Sequence, residues 1–213
     1  MLLVGQYDSP FVRRVAVSLH WLGIPFTRDT KSVFTDAAEM RKINPLGRVP
    51  ALILDDGETL IDSAAILDHL DELVGPKRAL LPRQGATRRN ALRTIAIATG
   101  AMDKAVAIVY ERLLRPPAAR HQPWVDRCQI QIKAALDVLE RQPLDKQLAN
   151  GRTPQSAFTA ACLVGFLNLR VPDAFLPVHY PALARLSAQA EALPAFKAAR
   201  PSDADTAPGA AEV

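Results

Sequence analysis

The chain has 213 residues, 26 Lys and Arg against 22 Asp and Glu, a net charge of +4, and 49% hydrophobic residues. That length holds one large or two small domains with a substantial core, and the composition is ordinary for a soluble globular protein. The basic side chains are scattered among nearly as many acids rather than gathered into a run, which argues against a nucleic-acid surface. The longest apolar stretches are interrupted by Arg93, Asp103, Lys104 or Asn168, well short of the ~20 residues that a membrane span needs. Cys128 and Cys162 lie in apolar helical contexts and no signal peptide is evident, so they read as reduced core residues of a cytoplasmic protein.

Residues 2–7, LLVGQY, begin as a short apolar strand. Asp8-Ser9-Pro10 stops it and opens a helix, with Ser9 at the N-cap and Pro10 at the first helical position. That helix continues through Val12, Val15, Ala16, Leu19 and Leu22 to Gly23, an expected C-terminal stop. A strand starts at Phe26, and strand, helix, strand of these lengths is a βαβ unit with parallel strands. A short helix is expected between Thr30 and Lys42. Asn44-Pro45-Leu46-Gly47 is turn chemistry, followed by the apolar strand Ala51 to Leu54, an Asp55-Asp56-Gly57 hairpin turn and a return strand from Glu58 to Ile61. Asp62-Ser63 then offers N-cap residues for a helix whose Ile66, Leu67, Leu70 and Leu73 fall on one face. Pro50, at the entrance to a strand, is an unusual position, because proline removes a ladder donor; a cis Val49-Pro50 bond would present the Val49 backbone to a ligand.

Residues 75–84, GPKRALLPRQ, have the prolines, glycine and charges of a linker. Beyond them Leu92, Ile95, Thr99, Met102, Val106, Val109 and Leu113 form one stripe of a long helix that Pro116-Pro117 end. Trp124, Cys128, Ile132, Ala135 and Leu139 mark the next helix, closing near Pro143. Residues 157–169, AFTAACLVGFLNL, carry no charge, which predicts the central buried helix of a bundle. Residues 180–199 predict one or two short amphipathic helices, and the last thirteen are too small and polar to pack. The expected organisation is therefore a first domain over 1–76, a linker over 77–84, an all-helical domain over 85–200 and a flexible tail over 201–213.

The stretches SPFVRRVAVSLHWLGIPF and NPLGRVPALILDDGETLIDSAAI resemble the two halves of a glutathione transferase N-terminal domain, and the SPF motif is similar to the Ser-type, tau-like members. The resemblance implies an α/β thioredoxin-like first domain (βαβ then ββα, mixed sheet) followed by an all-α helical bundle. It covers about residues 1–200. It further implies that Val49 pairs its backbone with the cysteinyl part of glutathione beside a cis Pro50, that Asp62-Ser63 hold the γ-glutamyl end, and that Arg48 contacts the glycine carboxylate. The family normally has Glu-Ser at the Asp62-Ser63 position, so the carboxylate arm is one methylene shorter here. The family also starts its central helix with Ser/Thr-x-x-Asp, where Pro154 and Ala157 stand in this chain, leaving Thr153 as the expected N-cap.

The chemistry this implies is thiol activation. A cysteine-like thiol has a pKa of about 8.5, and only its thiolate is nucleophilic. A hydroxyl donor and a helix N-terminus can stabilise that thiolate together, and Ser9 matches the family's catalytic Ser. Ser9 could equally be only the N-cap, and Tyr7 is its rival, since other classes of the family use Tyr at the end of this strand. Position 9, and Val12 after it, are where redox members of the fold carry cysteines, so dithiol exchange is not expected. Arg48 reads equally as a solvated turn residue, and Asp62-Ser63 as a helix cap. Phe11, Val12, Met102, Tyr110 and Phe166 are candidates for a second-substrate pocket, each with a core residue as its ordinary reading. The histidines His20, His69, His121 and His179 show no ligand spacing, and no metal or nucleotide is expected. The expected activity is thus attack of glutathione, as co-substrate, on a small apolar electrophile, in a homodimer of the kind the family forms and with detoxification as the implied role. The alternatives are a glutathione-dependent isomerase or peroxidase, and a non-catalytic binding or regulatory protein of the same fold.

Overall fold

In the computed structural model, which describes residues 1–151 and 154–206, the apolar segments of the first eighty residues form a four-stranded mixed sheet in the order β2-β1-β3-β4. Strand β1 (Leu2–Val4) pairs parallel with β2 (Thr27–Asp29) and antiparallel with β3 (Ala51–Ile53), which pairs antiparallel with β4 (Thr59–Leu60). The helices α1 (Pro10–Leu22), α2 (Ala37–Ile43) and α3 (Ser63–Val74) complete the βαβ then ββα order expected. Because side chains alternate across a strand, Val4 and Ala51, which face each other in the register, bury one sheet surface against Met40 of α2. Leu3 and Leu52, also opposite each other, point to the other surface and are fully buried.

The ends of these elements follow local chemistry. The Ser9 oxygen accepts the Val12 N–H at 3.4 Å, and Gly23 closes α1 in the left-handed conformation (φ 65°) that a glycine adopts without a Cβ penalty. The hairpin turns where Leu54 N–H donates to Glu58 O at 2.8 Å and Glu58 N–H to the Asp56 carboxylate at 3.0 Å. The strands are shorter than the apolar runs suggest: β1 stops at Val4, because the chain turns at Gly5 (φ 134°). The helix expected between Thr30 and Lys42 begins only at Ala37, after a turn in which the Asp36 carboxylate accepts the Ser32 N–H.

The chain divides by its contacts into residues 1–80 together with those from Leu193 onward, and Leu81–Ala192. In the second unit α4 (Gly85–Leu113), α5 (Gln122–Glu140), α6 (Leu144–Ala149), α7 (Pro154–Arg170) and α8 (Pro181–Ala192) pack as a helical bundle. As the charge-free sequence predicts, α7 is central: every residue from Pro154 to Val164 is buried. Pro154 is the first helical residue, and Thr153, expected to cap it, lies outside the described residues.

The stripe expected on α4 is a correction. Leu92 and Leu113 are 43% and 44% exposed, while Ala91, Thr94, Ala98, Ala101, Ala105 and Ile108 are buried with Ile95 and Met102. The small side chains let α5 and α7 approach α4 closely, so close packing selects an alanine-rich face over the neighbouring row of larger residues. On α5, likewise, Val125 is buried where Trp124 was expected and Trp124 is 37% exposed.

Residues 193–206 also differ from expectation, and the rest of the expected tail, 207–213, lies outside the described residues. Helix α9 (Pro194–Ala198) packs on α1 of the first unit, and the short α10 (Asp203–Thr206) follows it. The polar segment from Pro201, expected to stay loose, buries Asp205 to 2% exposure. Hydrogen bonding rather than apolar area holds it.

Candidate functional site

Asn44, itself only 2% exposed, builds the loop before β3. Its side-chain oxygen accepts the Leu46 N–H at 3.0 Å, its amide nitrogen donates to Arg48 O at 2.8 Å, and its backbone oxygen accepts the Gly47 N–H at 2.8 Å. These bonds fix the turn on which Arg48 and Val49 ride. Arg48 is exposed, Val49 is half-buried, and the Val49-Pro50 peptide bond is cis. Neither the N–H nor the C=O of Val49 has a hydrogen-bond partner among the described residues. The loop therefore offers one donor and one acceptor on an open backbone edge.

Gly5 ties that edge to the start of α1. A Cβ at Gly5 would lie 2.5 Å from Val12 Cγ2 and 3.0 Å from Val49 Cβ, so Val12 and Val49 close over the glycine from two sides. Val12 belongs to the first turn of α1, whose N-cap is Ser9. The Ser9 oxygen accepts one hydrogen bond from within the helix, and the hydroxyl proton has no acceptor among the described residues. The pairing of Gly5 with Val49 was not anticipated from the sequence, although a glycine at the end of an apolar strand is a recognised sign of close backbone approach.

Asp62 and Ser63 sit at the start of α3. The Asp62 carboxylate caps the helix, one oxygen accepting the Ala64 N–H at 2.8 Å, while Ser63 is the first helical residue and is 3% exposed. The other carboxylate oxygen of Asp62, on an exposed side chain, accepts nothing among the described residues. Asp62 is thus a cap and can also receive a cation.

Tyr7 lies in a different environment from Ser9. It is 7% exposed, and the Arg28 guanidinium stands 3.9 Å above its ring centre. Burial raises the Tyr7 pKa above its ordinary value, and the opposing charge of Arg28 does not reverse this. The ring lines a cavity of about 370 Å³ with His20, Phe26, Arg28, Arg200 and Asp205. Of the second-substrate candidates, Val12 and Met102 are fully buried, Phe166 is 7% exposed, Phe11 is half-buried and Tyr110 is 40% exposed. Phe11 and Val12 belong to the first unit and the other three to the second.

The residue that sequence reasoning missed altogether is Asp205. Its carboxylate accepts the Tyr7 N–H at 2.9 Å, Arg28 at 3.1 Å, and both the N–H and the hydroxyl of Ser202 at 3.0 and 2.6 Å. Burial alone would raise its pKa, but the bonds from Ser202 and Tyr7 and the charge of Arg28 outweigh burial and hold it below the usual carboxylate value. Ser202-Asp203-Ala204-Asp205 has the Ser-x-x-acid spacing of a capping box, the signal that could have found it. Among the described residues no cluster of His, Cys, Asp and Glu is arranged to hold a metal, and no helix is long and apolar enough to cross a membrane.

Residues 3–78 match the family model described as glutathione S-transferase, N-terminal domain. An uncharacterised GST-like protein of Escherichia coli K12, YibF, is 34% identical over 170 residues, covering 80% of this chain and 83% of that one. A maleylacetoacetate isomerase of Pseudomonas aeruginosa is 38% identical over 86 residues, 38% of this chain and 40% of its own. A crystal structure of a glutathione transferase family member from Pseudomonas fluorescens Pf-5, with bound glutathione, superposes with a TM-score of 0.86 at 35% identity over 94% of this chain and 98% of that one.

Proposed function

This chain belongs to the glutathione S-transferase family, and from that premise we propose that it binds glutathione along the Val49 edge and activates its thiol at Ser9 for attack on a small, apolar electrophile. The observation that carries this reading is the open backbone of Val49 packed, through Gly5, against the turn that Ser9 caps. The Val49 N–H and C=O pair with the cysteinyl residue of the tripeptide, in the manner of an added strand. The free oxygen of Asp62 receives the γ-glutamyl ammonium, with Ser63 beside it, and Arg48 reaches the glycine carboxylate, which a guanidinium binds bidentately. Pro50 keeps the turn in shape. Residues 1–76, before the 77–84 linker, are then the glutathione-binding domain.

Activation needs no metal. A thiol set against the N-terminus of α1 meets the positive end of the helix dipole, and the Ser9 hydroxyl, whose oxygen already accepts from Val12, has its proton left to donate to the developing thiolate. Lowering the thiol pKa by one unit takes about 1.4 kcal/mol of preferential stabilisation of the anion. One hydrogen bond to a charged acceptor supplies that amount. The bond from thiolate sulfur to the electrophile then forms as the leaving group departs with its electron pair. The P. aeruginosa isomerase supports a second reading, a glutathione-dependent isomerase, in which the same thiolate adds and is later expelled. Cytoplasmic, detoxifying action in a two-fold homodimer completes the proposal, and light scattering should return twice the 23.2 kDa of the chain; a monomer at micromolar concentration would count against the dimer.

The test is Ser9→Ala. Titration of bound glutathione by the ultraviolet absorbance of its thiolate should give a pKa shifted up towards the free value, with turnover reduced and glutathione affinity within about threefold, a range of about 0.7 kcal/mol. Stability should fall by about 1 kcal/mol, because the N-cap is lost as well. A wild-type protein that binds glutathione yet leaves its thiol at the free pKa would overturn the catalytic reading and leave a binding module.

A further inference from the structure

The far end of the chain grips α1 and its approach on both sides of Ser9. Two residues before Ser9, the Tyr7 N–H donates to Asp205 at 2.9 Å, and four residues after it, Arg13 Nε donates to the Ala199 carbonyl at 3.0 Å while its guanidinium stands 5.4 Å from the Phe196 ring. Between these anchors the Ser9 N–H closes a turn on Gln6 O at 3.2 Å. The bond from Val12 to the Ser9 oxygen is 3.4 Å, at the long limit for a hydrogen bond, and is too weak to fix the hydroxyl by itself.

We propose that Asp205 is a positioning residue for Ser9, setting through the Tyr7 backbone where the serine hydroxyl stands relative to the glutathione thiol. The inference rests on the reading of Ser9 as the activating group. A carboxylate has about four acceptor sites, and all are used here: Tyr7 N–H and Arg28 on one oxygen, Ser202 N–H and hydroxyl on the other. Its side chain is 1% exposed, so this is a buried charge with every lone pair committed. Arg28, held by the same carboxylate, lies over the Tyr7 ring. Asp205 therefore fixes residue 7 directly through its backbone and indirectly through its ring. The backbone anchor matters for catalysis because donation to a thiolate depends steeply on placement: an error of about 1 Å can cost on the order of a hundredfold in rate. The side-chain hydrogen bonds that build the binding edge, from Asn44 to Leu46 and Arg48 and from Asp62 to Ala64, do not pass through Asp205. The signature of the role is thus a change in thiol activation at unchanged glutathione affinity.

The experiment compares Asp205→Ala and Asp205→Asn with Ser9→Ala in the full chain. The readouts are glutathione affinity by calorimetry, bound-thiol pKa by thiolate absorbance, and amide exchange at Tyr7. Asp205→Ala should raise the bound-thiol pKa by about half a unit, about a threefold loss of thiolate below the pKa, with glutathione affinity within about twofold, and Tyr7 N–H should exchange faster. Asp205→Asn keeps an acceptor oxygen for that N–H and should fall between wild type and Asp205→Ala; it also decides the matter if the alanine variant does not fold. The double variant should have a thiol pKa no higher than Ser9→Ala alone, because both changes act on one hydrogen bond. If Ser9→Ala raises the thiol pKa while both Asp205 variants lose only stability, Asp205 is a latch and the inference fails. If Ser9→Ala leaves the thiol pKa unchanged, the reading of Ser9 fails first and the inference falls with it.

Discussion

Two segments meet the start of α1, and they are built on opposite plans. From Asn44 to Ser63 the shape comes from neighbours in sequence: Asn44 bonds to residues two to four positions away, and Asp62 to one two positions away. The C-terminal segment is held by partners 177 to 198 positions away, Arg28 and Tyr7, and Asp205 is its one buried anion among the described residues. Local turn chemistry forms cheaply, because little loop entropy is lost, whereas closing a long loop costs more and needs several bonds formed together. The difference predicts a division of labour: the local segment sets glutathione affinity, and the distant one sets how well the bound thiol is ionised.

The largest effect should come from the residue that joins the Val49 loop to α1. Gly5 has φ 134°, and a Cβ there would press 2.5 Å from Val12 Cγ2 and 3.0 Å from Val49 Cβ. Gly5→Ala should cost about 2–4 kcal/mol, combining overpacking with backbone strain. It should weaken glutathione binding and raise the thiol pKa together, blurring the division. Urea unfolding checks the first part and calorimetry with thiolate absorbance the second. A loss under ~1 kcal/mol would mean that the loop and helix are less tightly coupled than the Gly5 contacts require.

Asp62 sharpens the comparison from the local side. Removing a charge partner of an ammonium costs about 1.5–3 kcal/mol, so Asp62→Ala should weaken glutathione binding by roughly tenfold or more, with about 1 kcal/mol of stability lost through the cap. Asp62→Asn keeps the capping oxygen and should lose affinity without losing that stability. In both variants the glutathione that still binds should show the wild-type thiol pKa. Glutathione should also protect the wild-type protein by about 2.7 kcal/mol at a hundredfold excess over its Kd, and in Asp62→Ala that protection should largely disappear at the same concentration.

The same contrast explains what was legible in the sequence. Ser9-Pro10, Gly23, Asp56-Gly57 and Asp62 announce element ends because capping and turn chemistry act over two to four residues, and each stands at such an end. The charge-free 157–169 segment announces a helix buried on all sides, which holds from Pro154 to Val164, although Leu169 near its end is 43% exposed. Two things were not legible. Which face of α4 is buried depends on how closely its partners approach, and that favours Ala91, Ala98, Ala101 and Ala105 over the more hydrophobic Leu92. The burial of Asp205 depends on Tyr7 and Arg28, nearly the whole chain away, so a polar C-terminal segment gives no hint of it beyond its Ser-x-x-Asp spacing.

Acid should separate the two segments with a smaller effect. Asp205 has its pKa held below the usual carboxylate value in the folded protein, by Ser202, Tyr7 and Arg28 acting against burial. A depressed carboxylate contributes stability in full above its unfolded pKa of about 3.9, and loses that contribution as the pH falls through the folded value. The difference in melting temperature between wild type and Asp205→Asn should therefore be level from about pH 8 to pH 5 and shrink below about pH 4. A difference that persisted unchanged in stronger acid would show that the carboxylate charge does not hold the segment.

The smallest effect should be at Tyr7, the other hydroxyl on the approach to α1. Its backbone N–H is the contact that matters to Asp205, and no side-chain substitution removes it. Its phenol is buried and raised in pKa, with the Arg28 guanidinium over the ring, so it neither ionises near neutral pH nor stands in the position of the Ser9 hydroxyl. Tyr7→Phe keeps the ring beneath the guanidinium and removes only the oxygen. It should leave the bound-thiol pKa and kcat within about twofold of wild type and change stability by under about 1 kcal/mol. Tyr7→Ala, which removes the ring as well, should go further: it frees Arg28 from its stacking partner and strains the ion pair with Asp205, so it should resemble Asp205→Ala in thiol pKa more than it resembles Tyr7→Phe. A Tyr7→Phe enzyme with the thiol pKa of Ser9→Ala would reverse the assignment, making the phenol the donor and Ser9 a cap.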